Sequence, residues 1–158
     1  MKKIFLLLII VTGFSYLCSG QEEDKSQLVL QFYDKLYDLN ISPDQIFRDY
    51  IVYTDSIGYM NALLSIMNLR QPVGNAEEHF NLLKKDIMNK EFGLLRYAFF
   101  EDNEQVKFRY LSNKDRDNVY SISPKHTIKQ YILIKGNKIR SFFGFEKTGN
   151  DEYTFIVY

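Results

Sequence analysis

The sequence predicts an α+β fold in which N-terminal helices pack on a curved antiparallel β-meander of five to six strands. Three observations carry this expectation. Between Lys25 and about Lys90 the apolar residues recur at helical spacing, and from Phe92 onward the spacing falls to two. Short polar connections separate the period-two segments, which makes neighbouring strands antiparallel. Helices first and strands afterwards is the order of a sheet covered by helices on one face.

The first helix is expected from about Ser26 to Asp38, with Leu28, Phe32, Leu36 and Leu39 on one face and Val29 and Tyr33 beside it. Ser42-Pro43-Asp44-Gln45 opens the next: serine caps, proline is tolerated in the first turn, and Gln45 completes a capping box. That short helix buries Ile46, Phe47 and Tyr50, and a brief extended piece follows over 52–54. Asp55 or Ser56 caps a third helix with Tyr59, Leu63, Ile66 and Met67 inward. Gln71-Pro72-Val73-Gly74 breaks the chain. Asn75 and Glu78 then have capping-box spacing, opening a helix with Phe80, Leu83 and Ile87 on one face.

In the second half Leu95, Tyr97 and Phe99 alternate with polar or small residues, and Val106, Phe108 and Tyr110 alternate with Lys107 and Arg109. These are expected as two strands joined through the polar run Glu101 to Glu104. A polar turn over 113–118 leads to a strand from Val119 to Ser123, which Pro124 interrupts. Thr127 to Lys135 and Lys138 to Lys147, joined by Gly136-Asn137, read as a hairpin, and Tyr153 to Tyr158 as the last strand. The sheet is apolar on both sides: Ile128, Ile132 and Ile134 oppose Tyr131 and Leu133, and Phe142 opposes Ile139, Phe143 and Phe145. Either the sheet curls around its own core, or its second face forms a pocket or a subunit interface.

Residues 1–20 have the pattern of a secretory signal peptide: Lys2 and Lys3, an unbroken apolar run from Ile4 to Val11, then small residues near Cys18, Ser19 and Gly20. Thr12, Gly13 and Ser15 interrupt the run well short of the roughly 20 apolar residues of a membrane span. Cleavage after Gly20 leaves one α+β domain over 21–158, exported to the periplasm or secreted. The alternative is lipidation at Cys18, which would anchor the chain to the membrane, although bulky Leu17 stands where a small residue is usual. The mass of the mature N-terminus separates the two.

Cys18 is the sole cysteine, so a chain beginning at Gln21 has no disulfide, thiol nucleophile or thiolate metal site. Its stability must come from an apolar core in which 13 Phe and 12 Tyr supply large burial per side chain. Without Lys2 and Lys3, 18 basic residues face 20 acidic ones. That balance calls for neither nucleic acid nor an anionic membrane surface.

Sequences for a nucleophile elbow, a zinc-protease helix or a glycine-rich phosphate loop do not occur, so no catalytic residue is assigned and no cofactor or metal is expected. His79 lies at the margin of an apolar helix face and His126 in an exposed turn. The stretch between Asp117 and Glu146 contains no acid. Within it Lys129, Lys135 and Arg140, interleaved with Tyr131 and Phe142, form the candidate binding set. The same tract could instead complement the acidic first half, which carries 11 acidic and 7 basic residues over 21–90.

The order of elements, beginning with Gln31-Phe32-Tyr33-Asp34-Lys35-Leu36 in the first helix, resembles the NTF2-like (cystatin-like) superfamily. That resemblance implies a curved sheet wrapped around a helix with a cone-shaped apolar pocket. The leading functional expectation is an exported, non-catalytic binding or accessory protein of the bacterial envelope, engaging a protein or small apolar ligand through the sheet. A homodimer through the sheet is a further expectation. The alternatives are an immunity-type protein blocking an exported toxin, and an NTF2-like isomerase, dehydratase or hydrolase using pocket Tyr and Asp residues.

Overall fold

The computed structural model describes residues 25–147, 149 and 151–158; the signal peptide expected over 1–20, with Cys18, lies outside them. The chain is α+β. Helix α1 covers 25–37, followed by α2 (Pro43–Tyr50), α3 (Ser56–Arg70) and α4 (Glu77–Met88). Local signals place two of the starts. Ser42 Oγ accepts from the Gln45 amide at 3.1 Å, and Asp55 Oδ1 from the Gly58 amide at 2.8 Å. α4 starts otherwise than the capping-box spacing suggests. A 3₁₀ turn, Gly74–Ala76, leads into it, and Ala76 stands at the N-cap without a side-chain bond. Gly74, at φ 76°, makes the reversal that a side chain would resist.

Strands β1 (Phe92–Arg96), β2 (Val119–Pro124), β3 (Gln130–Lys135) and β4 (Lys138–Ser141) form one antiparallel meander in chain order. β5 (Gly144–Glu146) and β6 (Tyr153–Phe155) form a separate antiparallel pair. The expected strand over 138–147 is therefore two strands in two sheets. The reason is local. Leu133 pairs with Ser141 and Ile134 with Ile139, which leaves Arg140 as the extra residue of a bulge. Ser141 Oγ then lies 2.8 Å from the Phe143 carbonyl, within hydrogen-bond reach, and the strand ends there.

The larger correction concerns residues 97–116. Tyr97–Phe99 is a 3₁₀ turn, α5 spans Asp102–Gln105, Val106–Phe108 is again 3₁₀, and α6 spans Asn113–Arg116. The alternation Val106, Phe108, Tyr110 forms no strand. Phe100, Glu104 and Phe108 also recur every four residues, and all three are buried. A short apolar run fits both periods, and packing decides between them.

That segment covers the second face of the sheet. The main core joins α1 to α4 with the first face: Phe32, Tyr33, Leu36, Ile66, Leu83 and Ile87 pack with Ile122, Ile132, Ile134 and Ile139. On the opposite face Phe100 and Phe108 close over Tyr131, Leu133, Tyr153 and Phe155, with the Phe108 and Tyr131 rings edge-on at 5.0 Å. Of the residues expected inside, Leu39 and Met67 are exposed. Leu39 falls beyond the end of α1, and Met67 turns away from the inward arc of Ala62, Ile66 and Leu69. Among the described residues no helix is long and apolar enough to cross a membrane.

Candidate functional site

A groove lies at the seam of the two cores. α4 contributes His79 and Phe80, the approach to β3 contributes Ile128 to Tyr131, and the far wall is Phe143 to Glu146 with Tyr153. Its volume is about 540 Å³, within the size range of sites that hold small ligands. Gly144 makes this wall by letting β5 approach closely at the start of its pairing with β6. A Cβ there would stand 2.5 Å from the Thr154 carbonyl oxygen and 2.5 Å from the Tyr153 ring.

The polar groups around the groove are engaged with one another. The Lys129 ammonium donates to both oxygens of buried Glu104, at 2.9 and 2.8 Å, and lies 6.0 Å from the Phe100 ring. Burial, and then the hydrogen bond to Glu104, push the Tyr131 hydroxyl well above its ordinary pKa. It is therefore a neutral donor at any physiological pH. Lys107 pairs with Glu146 and lies over the Tyr131 ring. His79 Nε2 is 3.4 Å from Gln130 Nε2. What remains open to a ligand is ring surface with neutralised charge at its edges.

A second constellation joins the end of α4 to the β2–β3 connection. Asp86 is fully buried. Its Oδ2 accepts from the His126 amide at 2.7 Å, and its Oδ1 stands 2.6 Å from His126 Nδ1. Beside it Lys125 Nζ donates to Glu91 Oε1 at 2.7 Å, and the Lys125 amide donates to the Glu91 carbonyl at 3.1 Å. One ligand-type atom from each of Asp86, Glu91 and His126 lies within 4.8 Å of the others. Both Asp86 oxygens are already occupied by His126, and the Lys125 ammonium neutralises Glu91. The geometry is that of a clamp holding the loop onto α4.

Burial acts to raise the Asp86 pKa, but the ring and amide hydrogen bonds of His126 and the Lys125 amide outweigh it and hold the carboxyl below its usual range. A depressed carboxyl stabilises the fold above its unfolded-state pKa and loses that contribution as pH falls through the folded value. Glu91, held low chiefly by Lys125, acts in the same direction. Acid unfolding should therefore steepen below about pH 4, the ordinary carboxyl range. In Asp86→Asn the neutral-pH stability should be lower and the acid limb shallower, as read from urea midpoints at pH 7, 5, 4 and 3.

The residues chosen from sequence are divided by the fold. Lys129 and Tyr131 border the groove. Lys135 and Arg140 border a separate hollow of about 350 Å³ with Tyr110, Leu133 and Phe155. Phe142 belongs to neither. It is 1% exposed, inside the main core between Phe32 and Tyr158, and so has no surface to offer a ligand. The bulge at Arg140 is the cause: one extra residue brings Phe142 back to the face of Ile139. His79 is half-buried, as its position on α4 suggests. His126 is partly exposed as expected, but it is also tied to Asp86.

Two groups were missed by reading the sequence. Glu104 lay in what reads as a turn between strands. Asp86 carried a signal: an acid bordering the apolar arc of Leu83 and Ile87 needs a partner once buried. Which partner it finds depends on a residue 40 positions away. Compared with known proteins, the chain matches no family model, no curated protein and no solved structure.

Proposed function

We propose that this chain is an exported, non-catalytic binding module that takes a small apolar ligand into the groove between α4 and β3. The observation that carries the reading is the wall of that groove. Phe80, Ile128, Tyr131, Phe143, Phe145 and Tyr153 border about 540 Å³, while Lys107 and Lys129 are neutralised by Glu146 and Glu104. Apolar surface with a few placed polar groups is the ordinary make-up of a ligand site. The signal-peptide pattern of residues 1–20, two lysines ahead of an apolar run, supports export and with it a role in the bacterial envelope.

An NTF2-like origin is part of the proposal. Its support is α1 lying against the four-stranded sheet, with Phe32 and Phe142 rings 5.0 Å apart. In this chain the space beneath α1 is filled with aliphatic and aromatic side chains, Ile122, Ile132, Ile134, Ile139, Tyr120 and Phe142 among them, so the ligand is assigned to the seam and not to a central cone.

Titration with the neutral fluorophore N-phenyl-1-naphthylamine tests the reading. The fluorescence should rise saturably with one site per chain. Ile128→Trp fills the mouth of the groove from an exposed position, and should weaken binding about tenfold, or roughly 1.4 kcal/mol. A linear, unsaturable response, or equal affinity in the variant, would sink the assignment.

A further inference from the structure

Helix α3 contains no charged side chain except Arg70, and Arg70 is turned inward. Its inner arc is Gly58, Ala62, Ile66 and Leu69. The opposite face should be polar on a helix that ends at solvent. Instead it presents Ile57, Met60, Leu64 and Met67, which are 70, 53, 52 and 55% exposed, flanked by Asn61 and Asn68. Soluble chains scatter exposed apolar residues singly; a contiguous row marks an interaction surface. Tyr53, half exposed and ring-packed on Tyr59 at 6.2 Å, extends the apolar surface beyond the start of the helix.

The spacing of the row identifies the partner. Its steps of three, four and three residues follow the seam of a helix pair packed at coiled-coil angles. They also read the same in both directions about position 62. Two copies of α3 related by a two-fold axis at that point would set Ile57 against Met67 and Met60 against Leu64, twice over. This self-complementarity is what an isologous interface requires. Charge agrees, because the face has no like charges to repel when it meets itself. We propose that the chain forms a two-fold homodimer through antiparallel packing of α3, on a surface distinct from the groove and from the sheet.

Sedimentation equilibrium of the full chain tests this, with the chain mass taken from mass spectrometry. The wild type should sediment at twice that mass. Leu64→Lys, at an exposed position that leaves the core intact, should sediment at once that mass with an unchanged far-ultraviolet spectrum. Adding Met60→Glu to Leu64→Lys should restore the doubled mass, since antiparallel pairing sets each acid against the other copy's lysine. A monomeric wild type overturns the proposal, as does a dimer that survives Leu64→Lys. A monomeric double variant overturns the antiparallel pairing on which the choice of partner rests.

Discussion

Replacing Arg70 with methionine is expected to lower the free energy of unfolding by about 4 kcal/mol, a large share of the 5–15 kcal/mol that holds a domain together. Arg70, only 7% exposed, closes α3, and its guanidinium reaches across to the end of α1. Nε donates to the Leu36 carbonyl at 2.5 Å and Nη1 to Ile41 at 2.7 Å; Nη2 donates to Lys35 at 3.1 Å and Asp38 at 2.9 Å. These carbonyls belong to the last turn of α1 and the turn after it, where the regular i+4 helix donors run out. A cation there also sits at the negative end of the helix dipole. Methionine keeps much of the volume but takes the guanidinium away from all four carbonyls. Those of Lys35 and Asp38 keep backbone amides as donors, from Asp38 at 3.3 Å and Ile41 at 3.2 Å, while those of Leu36 and Ile41 lose the donor that Arg70 supplies. Each charge-assisted bond is worth about 1.5–3 kcal/mol before the desolvation of the guanidinium is set against it. Arg70→Lys should recover less than half, because an ammonium is a point donor and cannot fork to four acceptors. Urea midpoints for the three proteins measure this directly. A loss below about 1 kcal/mol in Arg70→Met would mean that water satisfies the carbonyls and that the clamp is dispensable.

The second large effect is expected at Gly58. In an ordinary helix, glycine to alanine stabilises by about 1 kcal/mol. Here the sign should reverse. A Cβ at position 58 would stand 2.3 Å from the carbonyl carbon of Tyr158 and 3.1 Å from its Cα. Those atoms are backbone and have no rotamer with which to step aside. Either α3 moves outward or Tyr158 withdraws, and its buried ring leaves Phe142, now 5.0 Å away. Overpacking of this kind destabilises by about 1–3 kcal/mol. Gly58→Ala should accordingly show a lower thermal midpoint, by several degrees for a domain of this size. A midpoint equal to or above the wild type would show that the approach of the two segments is loose.

Much of the helical half could be read from the residues alone. Ser42 and Asp55 cap where their side chains predict, because a cap bond spans only three residues. Phe32, Leu36, Ile46, Ile66, Leu83 and Ile87 are buried where periodicity places them. The second half is less legible for a physical reason. Residues 97–116 are too short and too rich in alternating aromatics for one period to exclude the other. The deciding interactions are made with distant partners: Glu104 with Lys129, and Phe108 with Tyr131 and Tyr153. Likewise the bulge at Arg140 has no mark in the sequence, yet it reverses the side of Phe142 and opens the wall of the groove.

By itself the sequence determined the class, α+β, the capped helices, the two-sided apolar character of the sheet, and the aromatic composition of a core built without disulfides. Those follow from interactions a few residues long and from composition, which are written locally. The tertiary structure alone decided what covers the second face, how the strands among the described residues divide four and two, which lysines meet which acids, and that Asp86 finds His126. Each of these depends on chain segments far apart in sequence whose meeting is set by packing, and packing is a property of the whole fold.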